Sequence, residues 1–155
     1  MLFRSIHRKN TIDLPDDITA LSPEGNICCY RIPLSEVIIA GSNRQDSRDV
    51  LSNFNRAVIV TTSSRPATKR DAKMLVRQLL KIEKFLEEDG PLALAFHYPM
   101  PCPFCLPSDC RKNEGSCMNP AYMRPSPNTF HLNLLKTMEN ARIKDLGLST
   151  LILVE

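Results

Sequence analysis

Residues 57–96 read AVIVTTSSRPATKRDAKMLVRQLLKIEKFLEEDGPLALAF, and the order of three segments within them decides the fold. Ala57 to Thr62 is a near-continuous apolar run rich in β-branched residues, the pattern of a strand covered on both faces. Ala67 to Asp89 carries the strongest helical signal, with Pro66 at its start and Gly90 as its stop. Inside it Ala72, Leu75, Val76, Leu79, Ile82 and Leu86 recur at three- and four-residue steps and make one apolar stripe, which reads as core. Leu92 to Phe96 is another short apolar run of strand type. A strand, a long helix and a second strand form a parallel pair joined by a helical crossover.

The flanks extend this pattern. On the amino side Leu34 to Ala40 (LSEVIIA) ends in a β-branched run and is expected as a further strand, stopped by the turn signal Gly41-Ser42-Asn43. Ser42 or Asn43 is placed to cap a short helix through Arg56, with Val50, Leu51 and Phe54 on one face. On the carboxyl side a helix is expected over about Thr129 to Lys144, with Phe130, Leu134, Met138 and Ala141 in register. Leu151 to Val154, after Gly147, reads as the fourth strand. The expected fold class is therefore α/β: a small, largely parallel sheet of about four strands flanked by helices. Residues 1–26, polar and broken by Pro15, Pro23 and Gly25, read as an irregular N-terminal arm before a single domain over 27–155.

At 155 residues the chain is long enough for one real core. A net charge of +3 with acids and bases mixed along the chain is too weak an asymmetry for nucleic acid. The densest basic run, Arg65 to Lys73, reads as a solvated helix start. No stretch approaches the roughly 18 apolar residues of a spanning helix, and MLFRSIHRKNTIDL has no apolar leader, so no membrane is expected and the compartment expected is the cytoplasm. Thiols are kept reduced there, so the six cysteines argue against a disulfide framework. Cys28 and Cys29, adjacent in the strand-like run NICCYRI, read as small buried hydrophobes.

The other four cysteines carry the chemistry. Cys102, Cys105, Cys110 and Cys117 are spaced Cys-x2-Cys-x4-Cys-x6-Cys, within a loop spanning residues 98–127. Seven of the twelve prolines lie between Pro99 and Pro127, so this segment settles into neither helix nor central strand. Its order must come from elsewhere, and a metal bound by four thiolates supplies it. The alternative is a redox-active dithiol of Cys102 and Cys105, since Cys-x-x-Cys also lowers thiol pKa; against it, a pair of that type opens a helix, whereas this one sits among prolines. Four thiolates suit structural zinc. Such zinc sites commonly use two close pairs separated by a longer loop, whereas this single short excursion among prolines is closer to a 4Fe–4S loop, and the iron–sulfur reading is preferred. His97, five residues before Cys102, and His131 read as structural histidines; Arg124, fixed by Pro125, reads either as a guanidinium tuning a negatively charged site or as a surface loop arginine. There is no P-loop, no dinucleotide fingerprint, no Gly-x-Ser-x-Gly elbow and no His-Glu-x-x-His.

From about Arg44 onward the chain resembles a bacterial and archaeal family of predicted metal-binding proteins of unassigned function. The resemblance rests on SRDVLSNFNRAVIV, on the long helix leading into LALAF and the cysteine cluster, and on Cys117-Met-Asn-Pro120 followed by Arg124-Pro125-Ser126 and a helix with Lys136-Thr137. It implies a metal-binding role for the four clustered cysteines and a supporting one for Arg124. Members of that family usually carry a further cysteine set ending in Cys-Pro-Pro before the first helix. Here the matching stretch is Ile38-Ile-Ala-Gly-Ser-Asn43, so a single metal site is expected. The functional expectation is a small metal-binding protein, with a 4Fe–4S cluster for electron transfer or for service to a redox enzyme partner. Its alternatives are a zinc-stabilised interaction module and a dithiol redox protein.

Overall fold

The computed structural model describes residues 12–19, 27–37, 39, 43–62, 65–97, 102–111, 117–123 and 126–132. Their centre is a four-stranded sheet in the order β1 (Ile27–Ile32), β2 (Arg56–Thr62), β3 (Leu92–His97), β4 (Thr129–Leu132). β2 and β3 are parallel, with Arg56 opposite Leu92 and Thr61 opposite His97. β3 and β4 are parallel from Leu92–Thr129 to Ala95–Leu132. β1 runs antiparallel to β2, pairing Ile27 with Thr62 and Ile32 with Ala57. The sheet is thus mixed, which corrects the expectation of a largely parallel one.

The correction has a local cause. The amino-proximal strand is Ile27–Ile32 and not Leu34–Ala40. Pro33 has no N–H to continue a ladder, and Leu34–Glu36 turns as a 3-10 helix closed by Val37 N–H onto the Leu34 carbonyl at 3.2 Å. The chain then reaches β2 through a short helix, α2 (Arg44–Leu51), so that β1 and β2 meet without a crossover. Asn43 caps α2, its Oδ1 accepting from Asp46 N–H at 2.8 Å. Leu51 is buried on this helix, whereas Val50, expected beside it, is exposed.

The long helix, α3 (Lys69–Glu87), crosses from β2 to β3 as the stripe requires. Thr68 caps it by accepting from Asp71 N–H at 3.1 Å. All six stripe residues are buried. Gly90 turns the chain back with φ 112°, and a Cβ there would stand 2.6 Å from Asn55 Nδ2, so position 90 requires glycine.

Side chains alternate across the sheet and feed two cores. On the α3 face lie Cys29, Val58, Val60, Leu92, Leu94 and Phe96, packed on the α3 stripe. On the α2 face lie Tyr30, Ile32, Ala57, Ile59, Ala93, Ala95 and Leu132, packed on Leu51 and Phe54. Residues 12–19, read from sequence as part of an irregular arm, include a one-turn helix, α1 (Asp16–Thr19), whose Ile18 is buried in the α3-side core. Ile12 N–H also bonds the Cys29 carbonyl at 3.0 Å.

The fourth strand is Thr129–Leu132, where a helix start was expected. Residues 133–144 of that expected helix, and the expected strand Leu151–Val154, lie outside the described residues. Because β4 is parallel to β3, the chain between them must return across the sheet to begin β4 at the same end as β3. That returning chain is the cysteine segment.

Candidate metal centre

The cysteine segment enters at the carboxyl end of β3, beside the amino terminus of α3, which places it on the rim where open α/β sheets build sites. Phe104, between the first two cysteines, is 1% exposed and meets Phe96 edge-on, ring centroids 6.5 Å apart. Cys102, Met118 and Met123 pack against the same α3-side core. Short 3-10 turns at Pro107–Asp109 and Pro120–Tyr122 shape the remainder. The segment is therefore part of the core on one side and solvent-facing on the other. Cys105 is buried, Cys102 and Cys117 are half-buried, and Cys110 is exposed.

Two basic side chains from the start of α3 and the loop before it fasten this segment. Arg65 donates from Nη2 to the Cys105 carbonyl at 3.1 Å. Lys69 Nζ stands 3.4 Å from Asp109 Oδ1. The run Arg65 to Lys73, read from sequence as a solvated helix start, thus supplies two anchors to the cysteine loop. Arg124, the guanidinium singled out from sequence, lies outside the described residues. With the amino end of the α3 dipole, Arg65 and Lys69 make this rim favourable to negative charge.

The thiols influence one another. Burial pushes the Cys105 thiol above its ordinary value, and the neighbouring Cys110, Cys102 and Cys117 push it further, as does a hydrogen bond with Cys110. Asn119, fully buried, touches two more of them. Its backbone N–H lies 3.4 Å from Cys117 Sγ, and its side-chain Nδ2 lies 3.7 Å from Cys102 Sγ. All six cysteines are free thiols. Among the described residues, no three His, Cys, Asp or Glu side chains stand as a group already arranged to hold a metal ion. The donor chemistry nevertheless suits one: four cysteine sulfurs, soft donors, lie on one loop. Closing four thiolates on an ion is a step that binding itself drives.

The two histidines lie on opposite faces of the sheet. Alternation along β3 puts His97 on the face of Ala93 and Ala95, opposite the face that Phe104 and Cys102 cover. His131, on β4, has its Nε2 3.0 Å from Glu83 Oε2 and its ring edge-on to Phe96, centroids 5.6 Å apart. Next to it Glu87 Oε2 accepts from Thr129 Oγ1 at 2.7 Å and from Ser126 Oγ. These contacts bind β4 to α3. Asn119, quoted from sequence within Cys117-Met-Asn-Pro120 but given no role, had one visible signal: an amide next to proline two residues past the last cysteine of the cluster.

The fold and this rim define a class: a small α/β domain in which the connection between two parallel strands carries the cysteine cluster. Within that class, the family described as "Predicted metal-binding protein (DUF2284)" matches residues 42–147, more than half of the 155-residue chain. The chain belongs to that family. No curated protein and no solved structure matches it.

Proposed function

We propose that the loop binds one metal centre through Cys102, Cys105, Cys110 and Cys117, and that the centre is a 4Fe–4S cluster serving electron transfer or a redox enzyme partner. The observation that carries this reading is the pair of N–H donors that Asn119 presents to Cys117 and Cys102. N–H groups aimed at sulfur are a means by which proteins set the affinity and potential of thiolate-bound iron. When bound, such a cluster supplies one-electron chemistry. The chain's own residues hold the loop (Arg65, Lys69), seal its inner side (Phe104) and leave Cys110 toward solvent, the side from which a partner would exchange electrons.

A zinc-stabilised interaction module is the second reading. It is favoured by the packing of Phe104 and Cys105 into the core, since a metal that merely fixed the loop would also fix the sheet. Purification without oxygen, followed by a visible spectrum and metal analysis, separates the two. Bound iron with broad visible absorption supports the cluster; a colourless protein with a single zinc replaces it with the second reading. Cys110→Ser is expected to abolish metal retention, whereas Cys28→Ser retains it; equal metal content in both variants would remove the four-cysteine assignment.

A further inference from the structure

Asn119 is 0% exposed, and a fully buried amide side chain needs a reason. Its position offers one. The backbone N–H reaches Cys117 two residues back, and the side-chain amide reaches Cys102 fifteen residues before Cys117. One residue therefore spans the first and last sulfurs of the cluster. The turn beginning at Pro120 holds it in place, with Tyr122 N–H on the Asn119 carbonyl at 2.9 Å, and that turn packs on α3 and β3.

We infer that Asn119 is the positioning residue of the metal centre: its side-chain amide on Cys102 and its backbone N–H on Cys117 hold the first and last sulfurs toward one another before metal arrives. This deepens, and rests on, the reading of the loop as a metal centre. A hydrogen bond to sulfur strengthens when the sulfur is ionised, because the donor then faces a full charge.

The test uses Asn119→Asp, close to isosteric but without the side-chain amide donor to Cys102, together with Asn119→Ala; the backbone N–H on Cys117 remains in both. Phe104→Leu serves as a comparison that loosens the same loop and leaves the donors intact. Metal affinity by chelator competition is expected to fall about 10- to 100-fold in both Asn119 variants, and by clearly less in Phe104→Leu. Unchanged affinity, or an equal fall in all three, would overturn the inference.

A second measurement does not depend on metal. In the metal-free protein, dibromobimane bridges thiols that lie close together, and peptide mapping locates the bridge. The wild type is expected to give a Cys102–Cys117 bridge that drops severalfold in Asn119→Ala. Equal bridging in the two overturns the inference. If the wild type takes up neither iron nor zinc, the metal-centre reading falls, and the bridging result still decides the role of Asn119.

Discussion

Cys28 and Cys29 are neighbours in sequence and opposites in environment. Cys29 is 1% exposed in the α3-side core, and burial, with the adjacent Cys28 adding to it, pushes its thiol from 9.0 up to about 12. Cys28, half-buried on the other face, is raised by burial and partly relieved by a hydrogen bond with Tyr30. For Cys29 the folded chain keeps a proton that the unfolded chain releases above about pH 9. Its contribution is therefore intact below that value and is lost as pH rises toward 12, at up to about 1.4 kcal/mol per pH unit. Urea unfolding followed from neutral pH to about pH 11 should show wild type losing stability more steeply than Cys29→Ala. The variant starts lower, having lost a buried group, and the two curves converge. Parallel curves would place the alkaline loss elsewhere. At this scale the sequence was informative about Cys29, because an apolar run sets the burial of a small residue. It was silent on Asn119 and Arg65, whose roles depend on partners 17 and 40 positions away.

The elements divide in the same way. The α3 stripe and strands β2 and β3 were readable because each has a single dominant period and clear stops. β4 was not, because Thr129 to Leu132 satisfies two periods at once: Phe130 and Leu132 alternate as a strand, while Phe130 and Leu134 lie one helical turn apart. Pairing with β3 decided it, with Leu92 N–H on the Asn128 carbonyl at 2.8 Å setting the register. The strand is then held by Glu83 and Glu87, acids that continue the Leu79 row of α3 at four-residue steps. Glu83 and His131 keep only 10% and 9% of their side-chain surface exposed. Removing the carboxylate leaves His131 Nε2 buried without its partner, a loss of about 1–3 kcal/mol. Glu83→Ala should therefore lower the urea midpoint by that equivalent while leaving metal content unchanged. Loss of metal along with stability would show that the Glu83–His131 pair supports the cysteine loop as well as the strand.

For the whole molecule, the consequential feature is that the connection between two parallel strands is itself the cysteine loop. A crossover in an α/β sheet is ordinarily a helix that folds on its own periodicity; here the crossover is rich in proline, and among the described residues Asn119, Phe104 and two basic anchors tie it to two of its sulfurs, to the core and to the start of α3. On the proposed reading, bound metal supplies further order to this loop, and metal and sheet are then coupled. β4 depends on the loop for its approach to β3, whereas β1 and β2 meet through α2 and do not. Removing metal with a chelator should then act unevenly. Global stability falls by the linkage amount, about 2.7 kcal/mol for a metal present at 100 times its dissociation constant. Hydrogen exchange should quicken first at Phe130 and Leu132 in β4 and at the amides of 102–111, before β1 or β2 respond. In Cys110→Ser the same pattern should appear without chelator. Uniform acceleration across all four strands would mean that the loop and the sheet open as one unit, and unchanged exchange in β4 would mean that the strand holds its place on α3 contacts alone.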